Sequence, residues 1–226
     1  VEQAAASVQR HLLARDQHVR MERVQMARRL SRWLLRAIPT TAGMDELLAW
    51  QTDEGAYVDW ARFRLLGGDE VPDLSRAYGA LRACVAARLE SVGHRFAASM
   101  KDRVRQGDMS SARAIPVENI LDKVVAPLAE QNPVLLLVID GLSVAVFREL
   151  FERMERHGWG EIVAESTSKP LSGVAVLPTV TEVSRASLLC GRITVGNSNL
   201  ERTAFASHPA LLTRSHGTAP PRLFHK

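Results

Sequence analysis

Two oxygen-bearing side chains stand where they could act together. Asp140 follows the apolar run Val134-Leu135-Leu136-Leu137-Val138-Ile139 and precedes Gly141. Thr181 lies further on, in Leu177-Pro178-Thr179-Val180-Thr181-Glu182-Val183-Ser184-Arg185. An apolar run of that length reads as a strand covered on both faces, and open parallel sheets bind ligands beyond the carboxyl ends of their strands. A carboxylate at that end can hold Zn²⁺, Mg²⁺ or Mn²⁺, and Gly141 lets the backbone turn sharply beside an ion or phosphate. Thr181 stands where a helix would begin, and free N–H groups and the helix dipole favour phosphate there. Its hydroxyl is a poor nucleophile until a metal or base takes the proton. Paired cations can do this and stabilise the leaving oxygen as well. The combination implies metal-assisted chemistry at phosphorus. Each residue also has a plainer use, since a strand-end Asp often caps the following helix and a Thr at a helix start can cap its own.

The elements that must position these residues divide into two kinds. From Val1 to Arg36 the chain has no Gly or Pro, and Val8, Leu12, Val24, Ala27, Leu30, Trp33 and Leu34 recur at helical spacing. Pro39 and Gly43 end that pattern, and shorter helices are expected over Met44–Gln51 and Tyr57–Leu66. After Gly67-Gly68 and Pro72, with Asp73 or Ser75 as cap, a second long helix runs to about Arg105. It carries Leu74, Tyr78, Leu81, Val85, Leu89, Val92 and Phe96 on one face, and Gly107-Asp108 closes it. Beyond Gly107 the pattern changes to a helix over Pro116–Glu130, a strand over Val134–Ile139, a helix over Phe147–His157 and a short strand within Glu161–Glu165. Strand, helix, strand is the unit of a parallel sheet. Thr181–Cys190 is helix-like and ends at Gly191. We therefore expect an α/β chain, with a helical region over 1–112 and the start of a parallel sheet domain over 113–226.

Composition excludes several classes. The 226 residues are 46% hydrophobic and 24% charged, as in an ordinary globular protein. No apolar run approaches the ~20 residues of a membrane span, and no secretory signal opens the chain. Cys84 and Cys190 give neither a disulfide framework nor zinc-ligand spacing, so a cytoplasmic setting is the default. The balance of 29 basic against 25 acidic residues permits an anionic partner without requiring one. Arg10, Arg15, Arg20, Arg23, Arg28, Arg29, Arg32 and Arg36 make the first helix basic. They could form a nucleic-acid stripe or, more plainly, a solvated face beside an acidic neighbour, and no aromatic residues interleave them. Gly191-Arg192-Ile193-Thr194-Val195-Gly196-Asn197-Ser198 echoes a phosphate-binding loop, but Asn197 replaces the required lysine and a helix, not a strand, precedes it. Cys190 reads as a packing residue at a helix end.

Asp140-Gly141 after a hydrophobic strand, followed by Pro178-Thr179-x-Thr181-x-x-Ser184-Arg185-Ala186-Ser187-Leu188-Leu189-x-Gly191, resembles the nucleophile segment of the alkaline phosphatase superfamily. Sulfatases of that superfamily carry a Cys that becomes formylglycine where this chain has Thr181, and Val183 replaces their usual Pro. Thr cannot undergo that conversion, so the resemblance implies phosphoryl transfer. It also implies Asp140 as a metal ligand, Thr181 as nucleophile and metal ligand, and Arg185 as organiser of the nucleophile's surroundings, with a divalent metal, Zn²⁺ first and Mg²⁺ or Mn²⁺ next. With Val138-Ile139-Asp140-Gly141-Leu142-Ser143 and the terminal Leu223-Phe224-His225-Lys226, the chain is most similar to the PglZ domain of bacterial phage-growth-limitation and BREX defence systems, type 2 in particular. Other defence-system proteins are the implied partners. The superfamily's remaining Asp and His ligands lie far downstream of the nucleophile. Here Asp140 is the last aspartate and Thr181 is followed only by Glu182, Glu201 and the scattered His208, His216 and His225. The expectation is a fragment, inactive alone, with further ligands beyond Lys226. A non-catalytic interaction module of a defence complex, contacting DNA through the first helix, is the alternative.

Overall fold

The computed structural model describes residues 3, 6–7, 10, 17–37, 43–107, 114–163, 171–213 and 219–225. Several sequence expectations fall on Val8, Leu12, Arg15, Pro39, Asp108, Ala164, Glu165, His216 and Lys226, which lie outside the described residues. The chain divides into two compact units, Val1–Arg105 with Ser143–Gly160, and Gln106–Leu142 with Glu161–Lys226. No described helix is long and apolar enough to cross a membrane.

The first unit is helical. Its elements are α1 (His18–Leu35), α2 (Met44–Trp50), a π-helical turn (Gln51–Gly55), α3 (Ala56–Arg64), α4 (Pro72–Gln106) and α6 (Val144–Arg156). Met26, Leu30 and Trp33 of α1 meet Val58, Ala61 and Leu65, and Tyr78 and Val85 of α4, in one core. In α4 the seven-residue spacing of buried Tyr78, Val85 and Val92 keeps one seam facing inward. Its start differs from expectation: Pro72 is the first helical residue, where its missing N–H costs nothing, and the Asp69 carboxylate accepts from the Val71 N–H at 3.0 Å. Arg88 of α4 closes the carboxyl end of α1, donating to the Leu34 carbonyl at 2.6 Å and to that of Arg36. Its guanidinium lies 4.7 Å from the Trp33 ring centroid, and burial presses its pKa downward. Helix α6 joins this unit through Glu149, which accepts from the Trp60 indole and from Arg64 at 3.3 Å.

The second unit holds β1 (Ala114–Pro116) and β2 (Ser172–Val174), paired in parallel with Ala114 opposite Ser172 and Pro116 opposite Val174. The expected helix over Pro116–Glu130 is present as a 3₁₀ turn (Val117–Asn119), a π-helical turn (Leu121–Val125) and α5 (Ala126–Ala129). The widening has a local cause. Pro127 has no N–H to offer the residue-123 carbonyl, and the Ala126 N–H reaches back five residues to the Leu121 carbonyl. Helices α7 (Thr181–Cys190), α8 (Ser198–Ala206) and α9 (Pro209–Leu212) follow. Leu121, Val125, Ala126, Leu189, Phe205 and Leu211 form the core, with Leu136 and Leu223 packed against it.

The architecture is α/β with a small parallel sheet, but two expected strands are corrected. Val134–Ile139 is not assigned to a strand and forms no ladder with any described residue, and Glu161–Val163 is likewise unpaired. Nor is the run buried on two faces. Leu136 reaches the core, while Leu135 and Leu137 stay largely exposed at 78% and 68%, and Val134, Val138 and Ile139 are also exposed.

Candidate active site

Asp140 is delivered by the irregular segment 133–139 and by the turn at Gly141, whose φ of +75° favours glycine. Asp140 is not used as a cap for the next helix. Ser143 does that work, its hydroxyl accepting from the Val146 N–H at 3.2 Å. Thr181 is not a cap either. It is the first residue of α7, and Val180 occupies the cap position without a side-chain cap hydrogen bond. Both plainer uses are therefore absent. Instead the Thr181 hydroxyl donates to Asp140 Oδ2 at 2.8 Å. The preceding Leu177–Pro178 peptide is cis.

Arg185 lies one turn further along α7. Its Nε donates to Glu201 Oε1 at 3.1 Å, and its Nη1 stands 4.0 Å from Asp140 Oδ2, the oxygen that also accepts from Thr181. The three sequence-predicted residues thus converge on one carboxylate oxygen. Glu201 is fully buried, and its second oxygen has no hydrogen bond among the described residues. His225 Nε2 faces that oxygen at 3.5 Å. Sequence reasoning did not single out either residue for the site. The one local signal, Ser198-x-x-Glu201, reads as a capping box that would turn the carboxylate back to its own helix start. Asn197 is the cap instead, accepting from the N–H groups of Asn199 and Leu200 at 3.1 and 3.2 Å, and Glu201 is left to face α7.

The rest of the α7 motif builds the platform. Ala186, Ser187 and Leu189 are buried. The Ser187 hydroxyl donates to the Val183 carbonyl at 2.7 Å and accepts from the Thr194 N–H at 3.0 Å, while the Gly196 N–H reaches the Glu182 carbonyl at 2.8 Å. Residues 194–196 are thereby bound to α7, which accounts for the Gly-containing segment without a phosphate. Gly191 ends the helix at φ +64°, and the His208 imidazole occupies the space that a Cβ would need. Burial pushes the Cys190 thiol pKa up, away from a reactive thiolate.

Asp140 and Thr181 supply hard oxygen donors, the kind that Mg²⁺ and Mn²⁺ prefer and Zn²⁺ accepts. Among the described residues, no group of three His, Cys, Asp or Glu side chains is arranged to hold a metal.

Residues 120–214 match the family described as BREX system PglZ alkaline phosphatase-like domain. This stretch is a PglZ domain. The match spans Asp140, Thr181, Arg185 and Glu201, and ties the PglZ domain to a superfamily that generally uses divalent metals. No curated protein and no solved structure matches the chain.

Proposed function

We propose that the protein carrying this PglZ domain is a metal-dependent phosphohydrolase or phosphodiesterase of bacterial anti-phage defence, working in the cytoplasm beside other defence-system proteins. The observation that carries this reading is the Thr181 hydroxyl bonded to Asp140 Oδ2 at the first residue of a helix. Thr181 Oγ1 is the attacking atom. Its proton is already directed at the carboxylate oxygen that can hold it, the new O–P bond replaces the bond to the leaving oxygen, and water then displaces Thr181 Oγ1 from phosphorus so that the hydroxyl recovers its proton. Arg185 presents positive charge on the same side, where a phosphoryl group would bring negative charge. The positive end of α7 adds to that attraction. A divalent cation held by Asp140 and Thr181 would supply Lewis acidity for the hydroxyl and the phosphoryl oxygens.

The test is turnover of an aryl phosphodiester and of an aryl sulfate by metal-stripped protein supplied with Zn²⁺, Mg²⁺ or Mn²⁺. The reading expects metal-dependent phosphoester cleavage and little sulfatase activity. Sulfate cleavage faster than phosphoester cleavage, or no turnover with any of the three metals, contradicts it.

A further inference from the structure

Glu201 is the feature of this unit that packing alone does not explain. A fully buried carboxylate carries a large desolvation cost unless cations and donors compensate it. Here one oxygen accepts from Arg185 Nε and the other faces His225 Nε2. The consequence lies at the far end of the guanidinium. An arginine facing an accessible carboxylate tends toward a two-pronged contact, with both nitrogens near 2.8 Å. Arg185 does not make that contact with Asp140, and its Nη1 stops 4.0 Å short. Its Nε is held by Glu201 on the neighbouring helix α8, so the guanidinium is turned toward Asp140 without closing on it. Asp140 Oδ2 thereby remains the acceptor for Thr181.

We propose that Glu201 is a positioning residue for the Thr181–Asp140 centre, acting through Arg185, with His225 engaging its second oxygen. The proposal rests on the phosphohydrolase reading above and adds a residue to that site. Glu201 fixes which face of Arg185 meets the centre, so that one guanidinium serves two carboxylates. Without it, Arg185 closes on Asp140 and competes with the Thr181 hydroxyl for Oδ2. His225 brings the segment 219–225 to the same buried carboxylate, with Leu223 seated in the adjoining core.

Two measurements on the protein carrying this chain test this, using Glu201→Gln, which keeps the side-chain shape and removes the charge. The first is hydrogen exchange of the Arg185 Nε–H by ¹⁵N-detected NMR, which needs no turnover. Exchange at least about tenfold faster in Glu201→Gln is expected; an unchanged rate overturns the proposal. The second is phosphodiester kinetics. Glu201→Gln should lower kcat about tenfold or more, as loss of a group supporting a ligand does. KM should stay within about twofold. The melting temperature should stay within about 3 °C. Combining Glu201→Gln with Arg185→Lys should be no worse than the more damaging single change, because both act through one guanidinium. Losses that multiply, or a fall in kcat matched by collapse of the melting temperature, overturn it. If the wild-type protein turns nothing over, the hydrolase reading fails, and the Nε–H exchange alone decides whether Glu201 holds Arg185.

Discussion

Each unit contains an arginine hydrogen-bonded to a buried carboxylate, and the two pairs are put to different use. In the helical unit Arg20 Nε lies 3.0 Å from both oxygens of Asp69, whose side chain is 1% exposed. Asp69 also accepts from the Val71 backbone, so the carboxylate ties Arg20 of α1 to the segment that leads into α4. In the second unit Arg185 makes one such bond, to Glu201, and its remaining side faces a second carboxylate that is itself bonded to a hydroxyl. The first pair spends its hydrogen-bonding capacity on joining helices. The second leaves charge and a hydroxyl directed at the same point. Arg–carboxylate pairing alone therefore does not mark a site; what the other end of the arginine meets does.

The same chemical change in the two units should separate these uses. Asp140→Asn removes the charge that holds the Thr181 proton, and phosphoester turnover should fall about a thousandfold, equal to about 4 kcal/mol of barrier. Because Asp140 is exposed, the melting temperature should barely move. A thermal melt beside the kinetic assay checks both halves. Next in size is Leu30→Ala, which empties a fully buried position of the helical core. It should cost about 2–5 kcal/mol, read by urea unfolding and by lost hydrogen-exchange protection in α1 and α4. Gly191→Ala forces a left-handed backbone onto alanine and drives a methyl into the His208 ring, at about 1–3 kcal/mol. The double variant with His208→Ala should recover part of that loss in a thermal melt.

Asp69→Asn should have the smallest effect and the opposite profile to Asp140→Asn, lowering stability while leaving turnover intact. The hydrogen bond from Arg20 holds the Asp69 pKa below its ordinary value in the folded state. A carboxyl whose pKa is depressed on folding contributes its stability in full above the unfolded pKa, and loses it as pH falls through the folded one. The urea midpoint of the wild type should therefore drop on acidification below the usual carboxylate range. Asp69→Asn should lack that part of the drop. Equal acid sensitivity of the two proteins would show that Asp69 does not join the helices as described.

The helices were legible because their signals are local. Gly191 and the apolar spacing fixed α7, and Tyr78, Val85 and Val92 fixed the seam of α4. Asp140, Thr181 and Arg185 were legible because a contiguous motif carries two of them and an apolar run flags the third. The run Val134–Ile139 misled because hydrophobicity reports expected burial and says nothing about a pairing partner. Glu201 was hidden for the converse reason. Its importance comes from α8 packing across α7, and its own neighbours in sequence suggest an ordinary helix cap.

The most direct test of the account is metal-dependent phosphoester turnover by the protein carrying this chain, measured for wild type, Thr181→Ala and Thr181→Ser. Alanine has no oxygen to attack phosphorus, so Thr181→Ala should lose about a thousandfold or more. Serine keeps the oxygen within reach of Asp140, and Thr181→Ser should retain measurable activity. Turnover that survives Thr181→Ala at near wild-type rate would contradict the assignment of Thr181 as the nucleophile.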